Sequence, residues 1–158
     1  MAGTFLRVPL YTLQVAAAVH QIHEHFFQVQ MTSGPSMMPT LNSGGEFVLL
    51  DKYHGRLGRC CTVGDMVVAA KPTGPRQYVC KRIIGMPGDV VFADPLVSDH
   101  KIKVPKGHVW LAGDNVMHSL DSRIYGPVPM GLIKAKVIAR VWPNPGWLPN
   151  SLEDYTSS

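Results

Sequence analysis

Beyond residue 40, Gly, Pro and Asp cut the chain into short runs, and this punctuation limits the fold more than any other feature. EFVLL (46–50), MVVAA (66–70), QYVCKRII (77–84), DVVFA (89–93), KIKV (101–104) and HVWLA (108–112) each have the length and side chains of a strand. In IKAKVIARV, Ile133, Ala135, Val137, Ala139 and Val141 alternate with Lys134, Lys136, Ile138 and Arg140. That is the period of a half-buried strand. Parallel strands need crossover helices, and nothing after residue 40 supplies one. The sequence therefore predicts a mainly β body of antiparallel sheet. GD recurs at 64–65, 88–89 and 113–114, and reads as turns entering or leaving strands.

The first thirty residues follow another pattern. Residues 5–29, FLRVPLYTLQVAAAVHQIHEHFFQV, hold no Gly and one early Pro, which predicts a helix. Val8 to Val19 is almost wholly apolar, and then His20, Gln21, His23, Glu24 and His25 interrupt it. A spanning helix wants about 20 apolar residues, so hydropathy alone leaves a membrane anchor, an amphipathic helix and a buried core helix open. No A-x-A cleavage site marks a removable signal peptide. The expected organisation is an N-terminal helix over 1–31, a β domain over 32–143 and a polar, turn-rich tail over 144–158, loosely held.

A chain of 158 residues with 46% apolar and 16% charged side chains suits one domain with a real core. The net charge of +4 comes from Lys and Arg scattered singly or in pairs, without a basic run or aromatic ladder. A nucleic-acid partner is therefore not expected. Cys60, Cys61 and Cys80 have neither disulfide-framework nor metal spacing. The histidines around Glu24 match no metal motif and read as a polar helix face. Neither a metal nor a cofactor is expected.

Chemistry concentrates in three stretches. In SGPSMMPT (33–40), breakers flank Ser36 and two methionines. A serine becomes a nucleophile only if a base removes its proton and donors receive the charge on the substrate oxygen. None of the seven His has a triad context. A lysine serves if burial lowers its pKa. By alternation Val79, Lys81 and Ile83 share one strand face, and Cys80, Arg82 and Ile84 share the other. Lys81 thus projects among β-branched side chains, while Arg82 faces away. Taken alone, a turn serine and a strand lysine are ordinary surface residues. A third stretch, GDNVMHSLDSRIYGPV (113–128), packs Asp114, Asn115, Ser119, Asp121, Ser122 and Arg123 between glycines. That density resembles the supporting shell of a site, although a hydrogen-bonded surface loop has the same composition.

Together SGPSMMPT, GD at 64–65, KRIIGMPGD (81–89) and GDNVMHSLDSRIYGPV resemble, in order, the sequence boxes of the type I signal peptidase family, over about residues 32–143. The resemblance implies a partly closed antiparallel β-barrel and a membrane-anchored serine protease with a Ser/Lys dyad. It implies Ser36 as nucleophile and Lys81 as general base, with Ser119 orienting the lysine amine. Asp121, Arg123, Arg82 and Asp114 resemble the family's ionic shell, and Met37 would keep Lys81 dry. One position departs: some bacterial members place an oxyanion-donating serine where this chain has Gly34. The oxyanion would then rest on the Ser36 N–H and a further donor.

VPKGHVWLAGDN, DSRIYGPVPMGLI and the closing WP resemble the mitochondrial inner-membrane branch of the family. Of the two subunit types found there, Asn115 and Arg123 match one. That likeness implies an N-terminal anchor within residues 8–29, a catalytic domain facing the intermembrane space and a second catalytic subunit as partner. The substrates would be precursor polypeptides with N-terminal sorting signals, bound by β-addition to a strand edge. The main rivals are a self-cleaving repressor, a non-catalytic scaffold subunit of the same fold and a membrane-bound binding module. The first lacks room for a DNA-binding domain, and intact Ser36 and Lys81 oppose the second.

Overall fold

The alternating run at 133–141 becomes the longest strand of the body. The computed structural model describes residues 2–74, 77–94, 98–148 and 150. In chain order the elements are α1 (Ala2–His25), β1 (Phe27–Thr32), β2 (Glu46–Asp51), the short α2 (Lys52–Gly55), β3 (Met66–Ala70), β4 (Tyr78–Gly85), β5 (Val90–Asp94), β6 (Ser98–Lys103), β7 (His108–Ala112), α3 (Ser122–Tyr125), β8 (Val128–Pro129), β9 (Ile133–Trp142) and β10 (Gly146–Trp147). Seven strands run in the order β1-β2-β9-β3-β4-β7-β8, with β10 added to β9 and β5–β6 as a separate hairpin. Every pairing is antiparallel, and the main sheet curls into a half-barrel.

β3 shows why the sheet curls. Its residues MVVAA are apolar on both faces, and both are covered. Met66 and Val68 enter one core layer with Met37, Leu41, Leu50 and Ala135. Val67 and Ala69 enter the other with Ile83, Val109, Leu111 and Ile133. β3 therefore sits between two apolar layers.

Two expectations are corrected. The helix does not run to residue 29: α1 stops at His25, and Phe27–Thr32 pair along their whole length with β2. Phe27, Val29 and Met31 alternate with Gln28, Gln30 and Thr32, a two-residue period that the lack of Gly and Pro concealed. The tail is not loose up to residue 150. β10 pairs with β9, Leu148 donates its N–H to the Ile138 carbonyl, and the Asn150 amide reaches Thr62 Oγ1 at 3.1 Å and the Val63 carbonyl at 2.7 Å. The part of the tail beyond 150 lies outside the described residues.

On α1, Leu10, Tyr11, Leu13, Val15, Val19 and Ile22 all stand exposed. Among the described residues no helix is long and apolar enough to cross a membrane.

Asn150 is buried and closes the turn before β3. Asn150→Ala is expected to destabilise the domain by about 1–2 kcal/mol, read as a lower urea midpoint at unchanged m.

Candidate active site

Ser36 sits in a single 3-10 turn, Pro35–Met37, with Pro35 at its start. Gly34 enters that turn at φ 112°, a conformation that L side chains avoid, although the space around it is open. Backbone geometry, and not crowding, therefore asks for glycine at 34. Met37, 3% exposed, plugs the turn into the core layer below. The Gly34 N–H donates to the Ser43 carbonyl at 3.2 Å, and the Ser36 carbonyl accepts the Asn115 N–H at 3.0 Å. The turn is thus fixed at both ends. The Gly34 N–H is thereby engaged within the loop.

Lys81 is 3% exposed on β4, opposite Val67 of β3. Its Nζ donates to Ser119 Oγ at 3.0 Å, and Ser119 Oγ donates to Asp121 Oδ2 at 2.6 Å. Asp121 has no exposure and also accepts the Gly113 N–H at 3.0 Å and Arg123 Nε at 2.9 Å. Burial pushes the Lys81 ammonium below its ordinary value against the opposing charge of Asp121. Burial alone would raise Asp121. Hydrogen bonds from Arg123, Ser119 and the Gly113 N–H outweigh it and hold the carboxyl below the usual carboxylate range. Arg123 also donates to the Val116 carbonyl at 2.7 Å, closing residues 113–121 into a strap.

Arg82 and Asp114 form a second pair, bidentate at 2.8 and 2.6 Å. Arg82 further donates to the Gly64 carbonyl at 2.6 Å, and Thr40 bonds Asp114 from the loop after Ser36. This pair clamps the strap and the serine loop to β4. Of the sequence-derived residues, Ser119, Asp121 and Arg123 form one network on Lys81, while Arg82 and Asp114 form a separate clamp. Gly34, Ser36, Met37 and Lys81 line one cleft of about 130 Å³, together with Thr32, Asn42 and Tyr78.

Cys80 lines the same cleft, but burial pushes its thiol up to about 12, so it stays protonated near neutrality. Sequence reasoning took Gly113 for a turn residue. In the structure a side chain there would strike Ser119 Oγ and the Ser36 carbonyl. Asn42 and Tyr78 carry no motif of their own, and only the fold brings them to the cleft.

The curled antiparallel β-sheet agrees with the family match. The signal peptidase (peptidase S26) family model covers residues 6–96 and 92–142, and the chain belongs to that family. It is 72% identical over 154 residues to mitochondrial inner membrane protease subunit 1 of Schizosaccharomyces pombe, spanning 98% of both chains. To subunit 1 of Saccharomyces cerevisiae it is 43% identical, over 82% of this chain and 75% of that one. To subunit 2 of the same yeast it is 33% identical, over 90% and 84%.

Because Gly113 leaves room for the Ser36 carbonyl and Ser119 Oγ, Gly113→Ala is expected to cost about 1–3 kcal/mol through overpacking, measured by chemical denaturation. Asp121→Ala, which strands Arg123 beside Lys81, is expected to cost about 3–5 kcal/mol by the same measurement.

Proposed function

We propose that the chain is a membrane-held serine endopeptidase that removes N-terminal sorting peptides from precursors delivered to the mitochondrial intermembrane space. The observation that carries this reading is the buried Lys81 amine, held by Ser119 in the cleft that Ser36 lines. Likeness to the two kinds of inner membrane protease subunit supports the same membrane and a second subunit as partner. The uncovered apolar side chains of α1 support attachment to lipid.

The chemistry follows from hydrogen-bond direction. The Ser119 hydroxyl donates its hydrogen bond to Asp121, so its oxygen accepts an N–H from Lys81. The lone pair of the neutral amine is then free for Ser36. In this reading Lys81 Nζ takes the Ser36 proton as Oγ bonds to the scissile carbonyl carbon, and the Ser36 N–H helps receive the oxyanion. The lysine returns that proton to the leaving nitrogen as the C–N bond breaks. Lys81 then deprotonates a water, which attacks the acyl carbon, and Ser36 departs with the proton. Met37 and the core beneath it keep the amine in a medium that disfavours its charge.

An extended substrate has a place to lie. β7 pairs only with the Arg82–Gly85 part of β4, so the other edge of Tyr78–Lys81 has no strand neighbour among the described residues. β-Addition there would bring a peptide bond to Ser36.

Ser36→Ala and Lys81→Ala are each expected to lower precursor cleavage by at least about a thousandfold while the domain stays folded. Lys81→Arg should fail too, because a guanidinium keeps its proton. An active Lys81→Ala in the purified complex overturns the dyad.

The base works only when neutral, so kcat/KM should rise with pH through a midpoint below the ordinary lysine value of 10.5. The unfolded chain holds that proton more tightly than the folded one. Burial of Lys81 therefore costs stability at neutral pH, a cost that fades as pH climbs towards 10.5. Lys81→Met should accordingly be inactive yet no less stable, as shown by urea melts at several pH values.

A further inference from the structure

Beside the catalytic cleft lies a second depression of about 400 Å³, with Lys52, Arg56 and Lys134 around it. Three features make the two depressions one trough. Gln28, Gln30 and Thr32 share a face of β1; the first two line the cationic depression and Thr32 lines the catalytic cleft. Tyr78 lines both. The cationic floor, formed by Leu50, Val68 and Ala135, belongs to the same core layer as Met37 and Leu41 beneath the cleft.

Among the described residues none of the three cations takes part in an ion pair; the Lys52 side chain donates to the His23 carbonyl, at 3.3 Å. From Thr32 to Gln28 is four residues of strand, about 13 Å at ~3.3 Å per residue. An extended peptide with its scissile bond at Ser36 would therefore set a side chain three to five residues away among the cations.

We infer that this trough is a substrate subsite for an acidic side chain, carried about three to five residues from the scissile bond. The inference rests on the Ser36/Lys81 reading and adds a substrate preference to it. The apolar floor shared with the cleft suits a polypeptide in passage, with its backbone between β1 and the open Tyr78–Lys81 edge of β4 and its carboxylate at the rim. An anionic lipid headgroup would meet the same cations but has no use for that continuity, so the observations favour the peptide. The groups are solvent-accessible, so the preference should be moderate, about three- to tenfold in kcat/KM, and should fade at high ionic strength.

The test uses the full chain, solubilised with its co-purifying subunits. Peptides spanning a cleavage site carry Glu, Gln or Lys at each position in turn, on both sides of the cut. The expected result is a Glu-over-Gln preference of that size at one position three to five residues from the cut. It should weaken in high salt, and Lys134→Glu should reverse it in favour of Lys. Equal cleavage of the Glu and Gln peptides, with Ser36→Ala inactive, overturns the subsite and leaves the catalytic reading standing. Wild-type cleavage no faster than that of Ser36→Ala overturns both. A Lys134→Glu protein that loses binding to vesicles rich in anionic phospholipid, with its peptide preference unchanged, reassigns the trough to lipid and also overturns the proposal.

Discussion

A single buried carboxylate organises the site. Asp121 is removed from water, yet the Gly113 N–H, the Ser119 hydroxyl and the Arg123 guanidinium all point at it. A lone carboxylate would be expensive there; hydrogen bonds from a cation and two neutral donors keep it ionised. Its charge fixes the direction of the Ser119 hydroxyl, and that direction decides which face of the Lys81 amine is occupied. Without the carboxylate, Ser119 could turn either way and the lysine would lose its orientation. The same carboxylate draws Lys81 towards the charged state, and burial opposes it. The amine rests between the two effects, with desolvation the larger.

The Arg82–Asp114 clamp has a different task. The Lys81 network sets protonation and orientation, while the clamp sets distance, because it joins β4, the strap and the serine loop through Gly64 and Thr40. Arg82 and Lys81 are adjacent in sequence and point to opposite sides of one strand. Neighbouring cations thus serve unlike roles without competing. A buried bidentate pair adds less net stability than its geometry suggests, since both ions give up water. Its value here is that it holds three segments in one relative position.

Much of this was legible in the sequence, for physical reasons that can be traced. Punctuated runs became strands because Gly, Pro and Asp end them where the sheet turns, and the alternation at 133–137 matched burial at Ile133, Ala135 and Val137. The opposed faces of Lys81 and Arg82 followed from period two. β1 was misread as helix because its polar face is glutamine and threonine, which a helix also tolerates, and no breaker separates it from α1. The hold on the tail was hidden because one asparagine, Asn150, reaches a loop almost ninety positions away in sequence. Gly113 could not be distinguished from a turn glycine, because what it makes room for, Ser36 and Ser119, arrives only with the fold. The cationic trough was illegible for the same reason: Lys52, Arg56 and Lys134 come from separate segments.

β1 joins α1 to the cleft with only Phe26 between, and it is paired with β2 from Phe27 to Thr32. A fully paired strand of six residues neither stretches nor coils, so it acts as a spacer of about 20 Å at ~3.3 Å per residue. If α1 rests on a membrane, as proposed, β1 limits how far the serine turn can stand from it. On the proposed reading, with Ser36 as nucleophile, cleavage position in a tethered precursor becomes a matter of reach as well as recognition: a bond held too near the surface, or too far from it, would miss the serine however well its side chains fitted.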